Sequence, residues 1–231
     1  MGHNRRMTIR RRMQGSPAPG GEPATQLSRL HWIELGLHLL GQRGLEAVRV
    51  EVLARRLHVT KGSFYWHFKN RQDLFDSMVE LWEEETRALL AEAGEAEPGL
   101  ARLNRIFELV DRHKGRRPDV AIFSWARRDA KVATRVEAVE RKRIEFLEEA
   151  FRALRPSEED VRTDALFTYL AFVGWLDRSS RAPKSTPAYR EFAVTILRRL
   201  VPGRGAELTP PAPAPPATVG PRPRGRRKSP A

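Results

Sequence analysis

The sequence predicts an all-α fold of about nine helices, a three-helix N-terminal unit followed by a larger helical unit. Three observations carry that prediction. Apolar residues recur at helical spacing in nearly every segment between residues 28 and 200, and no alternating strand pattern competes. Glycine and proline punctuate the periodicity at Gly44, between Gly94 and Gly99, at Gly115 to Pro118 and at Pro156. Between Val48 and Asp73, two short helical patterns meet at a tight turn and run into the capped start of a third.

The order of elements follows from these signals. Ser28 to Arg43 is an amphipathic helix with Trp32, Ile33, Leu37, Leu39 and Leu40 on its apolar face. Gly36 inside it costs roughly 1 kcal/mol against alanine, which points to another helix crossing closely there. Gly44 is a natural stop. Val50, Leu53, Ala54 and Leu57 then mark one face of a short helix, and Thr60 stands at the N-cap of the next, Lys61 to His67. Asn70 opens a fourth helix reaching about Ala93, with Asp73 completing a weak capping box. Further helices span about Leu100 to His113, Val120 to Asp129, Val132 to Leu154, Ser157 to Ser179 and Ala188 to Leu200. The penultimate one is apolar almost all round its centre, LFTYLAFVGWL, and needs a cover.

Charge is distributed unevenly. The net charge of +13 divides as +4 on residues 1–27, +4 on 28–75 and +5 on 202–231, leaving 76–201 neutral. Residues 1–27 read as a disordered basic arm and 202–231 as a disordered, Pro/Ala-rich basic tail. The chain therefore divides into arm, a helix-turn-helix unit (28–75), a helical unit (76–201) and tail, and the basic parts suit a polyanion. With no cysteine, no disulfide or thiolate site is available. The absence of a bilayer-length apolar run and of a secretory h-region makes a cytoplasmic location the expectation. The six histidines are scattered without metal-ligand spacing, and neither a nucleophile elbow nor a phosphate-cradling glycine loop is present. No enzyme, metal or cofactor is expected.

The helix pair carries the strongest signal. Phe64 and Phe68 fall at i, i+4 and turn inward, leaving Lys61, Ser63, Tyr65, Trp66 and His67 outward. Gly62 permits close backbone approach, and the N-terminal N–H groups beside Thr60 favour phosphate. Lys69 and Arg71, at the entrance to the following helix, suit backbone phosphates.

The run VRVEVLARRLHVTKGSFYWHFKNRQDLF resembles the DNA-binding segment of the TetR family of bacterial transcriptional regulators, and LHWIELGLHLLGQRGLEA resembles that family's first helix. The resemblance covers about residues 28–82 and matches the rest only in outline. It implies a homodimeric regulator, a repressor of the tetracycline-repressor kind, that binds a palindromic operator through recognition helices in successive major grooves. Carried over by position, Thr60, Tyr65, His67 and Lys69 would hold phosphates, while Lys61, Gly62, Ser63 and Trp66 would face bases or sugars. Two residues depart from the family pattern. Arg49 stands where the family has a Ser or Thr cap, and could reach a phosphate instead. His58 replaces the turn glycine, so a left-handed conformation costs more there.

For the second half the resemblance implies effector binding and dimerisation. Trp82, Phe107, Phe123, Trp125, Tyr169 and Trp175 are the candidate effector-pocket lining, although packing in the core is the stronger reading of each residue by itself. The last two helices, with Leu170, Val173, Phe192 and Ile196, would form the dimer interface and cover the apolar centre. Arg143 lies near the apolar stripe of the long helix. Buried, it would need a partner such as Asp129 or a ligand carboxylate, and a snorkelling surface position is the favoured expectation. An effector-free DNA- or protein-binding factor is the alternative, and it predicts a filled core.

Overall fold

The computed structural model of the chain describes residues 28–113, 118–155 and 157–201. The expected basic arm and tail lie outside the described residues. Nine α-helices are present among those described: α1 (Arg29–Arg43), α2 (Val50–Arg56), α3 (Lys61–Tyr65), α4 (Arg71–Gly94), α5 (Leu100–Arg112), α6 (Asp119–Ala126), α7 (Ala130–Arg152), α8 (Glu158–Arg181) and α9 (Tyr189–Leu200). Two short 3-10 turns, Leu45–Ala47 and Pro183–Ser185, join α1 to α2 and α8 to α9. None of the described helices is long and apolar enough to cross a membrane.

Local chemistry sets the helix boundaries. At the start of α1, the backbone N–H of Ser28 donates to Nδ1 of His31 at 3.1 Å, a capping box with histidine in the usual glutamate position. At α4, Asn70 Oδ1 accepts from the Asp73 N–H at 2.9 Å, but Asp73 Oδ2 accepts in turn from the Lys69 N–H, also at 2.9 Å. The reciprocal bond is thus one residue upstream of the expected one. Asp129 does not end α6; it caps α7, accepting from the N–H groups of Lys131 and Val132 at 3.0 and 3.3 Å. The sequence places Asp129 at the end of the sixth helix; its carboxylate instead serves the first N–H groups of the next.

Two hydrophobic cores form. One gathers Trp32, Leu39, Leu53, Phe64, Phe68, Leu74 and Met78 from α1–α4, and continues into Ile122 and Trp125 of α6 and Val132, Val136 and Val139 of α7. The other holds Leu103, Phe107, Phe146, Phe151, Phe172 and Leu197 from α5 and α7–α9. Packing therefore runs across residue 75, because α6 and the first turns of α7 lie against the N-terminal helices. The close helix crossing expected at Gly36 is present. A Cβ there would stand 2.8 Å from the Met78 sulfur of α4, well inside van der Waals contact.

Arg143 corrects the sequence reading. It does not snorkel but is buried, and its carboxylate partner within the chain is Asp119, not Asp129. Its Nη2 donates to Asp119 Oδ1 at 2.7 Å and to the Thr86 hydroxyl at 3.0 Å. The indole N–H of Trp82 donates to the same Asp119 oxygen at 3.2 Å. The guanidinium lies over the rings of Trp82 and Phe172, at 5.4 and 5.7 Å from their centroids. Asp119 is the first residue of α6, so the pair appeared only when α6 packed beside α4 and α7.

Asp119→Ala leaves the Arg143 charge buried without its counter-ion, and urea unfolding is expected to show a loss of about 3–5 kcal/mol. Asp119→Leu combined with Arg143→Met removes both charges and is expected to recover most of that loss. A double variant as unstable as the single one would show that the charges are not the cause.

Candidate functional site

The α2–turn–α3 unit is anchored from one side only. Leu53 and Ala54 are the buried residues of α2, and Phe64 is the single buried residue of α3. Phe64 meets Trp32 edge-on at 5.4 Å and stacks on Phe68 at 5.0 Å. A helix of five residues has too few backbone bonds to persist alone, so these ring contacts hold it in place. The turn closes through His58, which adopts φ 57° as its position in the motif requires, and through the Val59 N–H donating to the Ala54 carbonyl at 3.0 Å. A non-glycine residue in that region costs roughly 1–2 kcal/mol.

With Phe64 inward, the opposite side of α3 faces solvent. Tyr65 is 63% exposed and Trp66 89% exposed. Arg49, Thr60, Lys61, Gly62, Lys69 and Arg71 are also exposed, and Ser63 and His67 are half-buried. The expected DNA-contact residues are thus exposed or half-buried, most of them on or beside α3 and the start of α4 and Arg49 at the start of α2. An indole almost wholly in water gains nothing from folding of the single chain.

Local bonding adds detail that spacing did not show. Thr60 holds the N-cap position with an extended backbone but makes no side-chain cap bond, and neither does Arg49 at the start of α2. Lys61 pairs with Glu51 of α2 at 2.8 Å, both side chains well exposed. The hydrogen bond from Lys61 holds the Glu51 carboxyl below its usual range. Arg71 turns back, donating from Nε to the Val48 carbonyl at 2.9 Å and from Nη2 to the Leu45 carbonyl at 3.1 Å. Its guanidinium thus ties the α1–α2 connection to α4. Arg29 acts likewise across the unit, donating to Asp73 at 3.1 Å, to the Ser77 hydroxyl at 2.6 Å and to the His67 carbonyl at 3.3 Å. Neither clasp carries a sequence signature, because the acceptors lie 23 to 48 residues away.

In the second half, a cavity of about 50 Å³ opens among α4, α5, α7, α8 and the start of α9. Of the six aromatics expected around a pocket, Phe107 and Tyr169 line it. Trp82 bonds Asp119, Trp125 packs edge-on against Phe75 at 5.3 Å, and Phe123 lies against Trp82 at 6.3 Å. Trp175 donates to the Pro187 carbonyl at 3.0 Å. The lining that was not expected includes the aromatics Phe146, Phe172 and Tyr189 and the polar Thr86, Arg143 and Thr168. Burial, then the hydrogen bond to Glu140, push the Tyr169 hydroxyl well above the ordinary phenol range, so it stays a neutral donor. The expected interface residues fall at the surface of α8 and α9. Leu170 is exposed, whereas Val173, Phe192 and Ile196 are half-buried. Leu166 and Phe167 of α8 are exposed beside Leu170.

A buried aromatic anchor, a left-handed turn and an exposed cationic and aromatic face define a helix-turn-helix domain within an all-α protein. Residues 33–78 match the family described as bacterial regulatory proteins, tetR family. Over this segment the chain is similar to that family. It is 38% identical over 58 residues to the HTH-type transcriptional regulator AcrR of Shigella flexneri, covering 25% of this chain and 27% of that protein. It is 39% identical over 67 residues to the class G tetracycline repressor protein of Vibrio anguillarum, covering 28% and 32%. The matched segment thus spans about a third or less of those relatives' lengths. Similarity of fold extends further. A transcriptional regulator from Rhodococcus sp. superposes with a TM-score of 0.62 at 16% identity, over 76% of this chain and 94% of that one. AibR, in complex with isovaleryl coenzyme A and operator DNA, gives 0.58 at 20% identity, over 75% and 98%.

Glu51 competes with any anion for Lys61, and an exposed pair of this kind is worth about 0–1 kcal/mol. Glu51→Gln is therefore expected to raise affinity for random-sequence duplex several-fold at low salt, read by fluorescence anisotropy, with the gain fading as salt rises. An unaltered affinity would mean that Lys61 is not released toward the nucleic acid.

Proposed function

We propose that the chain is a sequence-specific transcriptional repressor that acts as a homodimer and is released from a palindromic operator by a small-molecule ligand. The observation that carries this reading is the α3 surface, where Phe64 is wholly buried and Trp66 is 89% exposed. In this reading Thr60, Tyr65, His67 and Lys69 hold phosphates, with Arg49 and Arg71 beside them. Lys61, Gly62, Ser63 and Trp66 meet base edges or sugars in the major groove. Rigid support from Arg29 and Arg71 keeps that surface in one orientation, as readout of base edges requires.

A second copy of the chain covers the exposed Leu166, Phe167 and Leu170 of α8, with Val173 and the Phe192 and Ile196 edge of α9. Two recognition helices then meet half-sites about 34–36 Å apart. The cavity and its buried polar groups support an effector-responsive protein over an effector-free one, which would have a filled core. AibR, of similar fold, holds both an acyl coenzyme A and operator DNA. A ligand contacting Arg143 acts on α6 through Asp119, and α6 carries Ile122 and Trp125 into the core of the DNA-binding helices. A ligand that prefers a different α6 position shifts the population away from the DNA-competent spacing. The expected setting is the bacterial cytoplasm.

Fragments selected from the source genome by the purified protein supply the operator for the decisive comparison. Tyr65→Ala is expected to weaken binding to operator and random duplex alike. Lys61→Ala is expected also to narrow the gap between them, by about 1–3 kcal/mol at the affected base pair. Equal losses on both duplexes for both variants would refute the division of roles. For assembly, Leu170→Glu is expected to give a monomer by light scattering, with random-duplex binding largely kept and operator affinity lost. A persistent dimer would place the interface elsewhere.

A further inference from the structure

The cavity wall contains two polar groups whose bonding is incomplete. Arg143 and Thr168 are 7% and 4% exposed. Arg143 Nη1 and the Thr168 hydroxyl oxygen have no hydrogen-bond partner among the described residues. Nη2 of the same guanidinium is engaged, serving Asp119 and Thr86. The Tyr169 hydroxyl is also committed, donating to Glu140 at 2.7 Å. Arg143 and Thr168, the lining residues that carry these unpartnered atoms, stand among Leu89, Leu90, Ile106, Phe146 and Leu147. Buried donors without acceptors are costly, and a guanidinium can only donate.

We propose that this cavity binds a small neutral ligand with an apolar body and one carbonyl-type acceptor oxygen, held by Arg143 Nη1 and the Thr168 hydroxyl. This identifies the chemical class of the effector, and it rests on the repressor reading only for its consequence on DNA. Charge decides against the obvious carboxylate. Asp119 already neutralises Arg143 at 2.7 Å, and Glu140 stands behind Tyr169. An anionic ligand would bring a third carboxylate to a single cation in a site of low dielectric, where like charges repel strongly. An ammonium would face the guanidinium and could accept from neither donor. A ketone, ester or amide oxygen accepts from both and adds no charge. Size limits the body. About 50 Å³, at about 10–15 Å³ for each water-sized occupant, holds roughly three to five heavy atoms without movement of the walls.

The test uses the full chain without DNA and three probes of similar size: 2-butanone, butanoate and butylammonium. Binding is read by saturation-transfer NMR and by shifts of arginine side-chain ¹⁵N signals. The expected result is saturable millimolar binding of 2-butanone, at least tenfold tighter than either ion, with one arginine signal moving. Thr168→Val is expected to weaken the ketone at least fivefold. Arg143→Lys, which keeps a cation opposite Asp119, is expected to weaken it at least tenfold, and circular dichroism checks that each variant is folded. If the lysine variant does not fold, Thr168→Val alone decides. Tighter binding of butanoate, no saturable binding of any probe, or ketone binding indifferent to the folded variants would each overturn the proposal, the second leaving a cavity that holds only water. Random-duplex binding by the same preparation separates the two ideas. Duplex bound with no probe bound refutes the ligand class alone, whereas ketone bound without duplex refutes the repressor reading alone.

Discussion

The ion pair between Arg143 and Asp119 is the constraint on which the arrangement of the second half depends. Removing two charges from water costs several kcal/mol per ion even after the protein relaxes, and the mutual attraction repays this only with good geometry and further hydrogen bonds. Here the geometry includes a 2.7 Å contact, a hydroxyl from Thr86, an indole N–H from Trp82 and two aromatic faces. These groups come from α4, α6, α7 and α8. Any other placement of the short α6 would strand a carboxylate or a guanidinium. The pair therefore contributes less to net stability than to choosing one packing over its neighbours.

That choice reaches the N-terminal helices through apolar contact. The helix that begins at Asp119 carries Trp125 in its last turn, and the Trp125 ring meets Phe75 of α4. The core around Phe64 and Trp32 thus shares residues with the helix that carries the buried carboxylate. Arg143 faces the other way as well, into the cavity. One side chain consequently touches both the cavity and the ion pair that positions α6. This connection gives the proposed repressor a physical route from ligand to operator.

At the opposite end of the molecule, α3 is too short to be stable alone, and its orientation is imposed by neighbours. Phe64 and Phe68 pin one face under Trp32, while Arg29 and Arg71 bind backbone carbonyls and acidic side chains across the unit. Arginine suits this task because its planar fork can meet several acceptors at once. The outward residues remain available because the inward ones are so heavily engaged. Arg71 shows why exposure and charge alone are an incomplete guide: a cation expected to face phosphate also fastens the connection that leads into α2.

The sequence by itself determined the helical class, the order of the helices and the motif at Val48 to Asp73. These follow from local signals: apolar spacing, glycine and proline breaks, and caps whose partners lie within four residues. The close crossing at Gly36 was legible for the same reason, whereas the left-handed His58 was expected only from the resemblance, whose pattern has a glycine in that turn. Tertiary structure alone decided the fate of Arg143, the polar lining of the cavity and which aromatics surround it. Local spacing marked Arg143 only as lying near an apolar stripe, and its counter-ion is 24 residues away on another helix. Trp82, Trp125 and Trp175 had the right character for a pocket, yet the crossing of helices sent each to a different neighbour. Where partners are distant in sequence, only the packed fold states which groups meet.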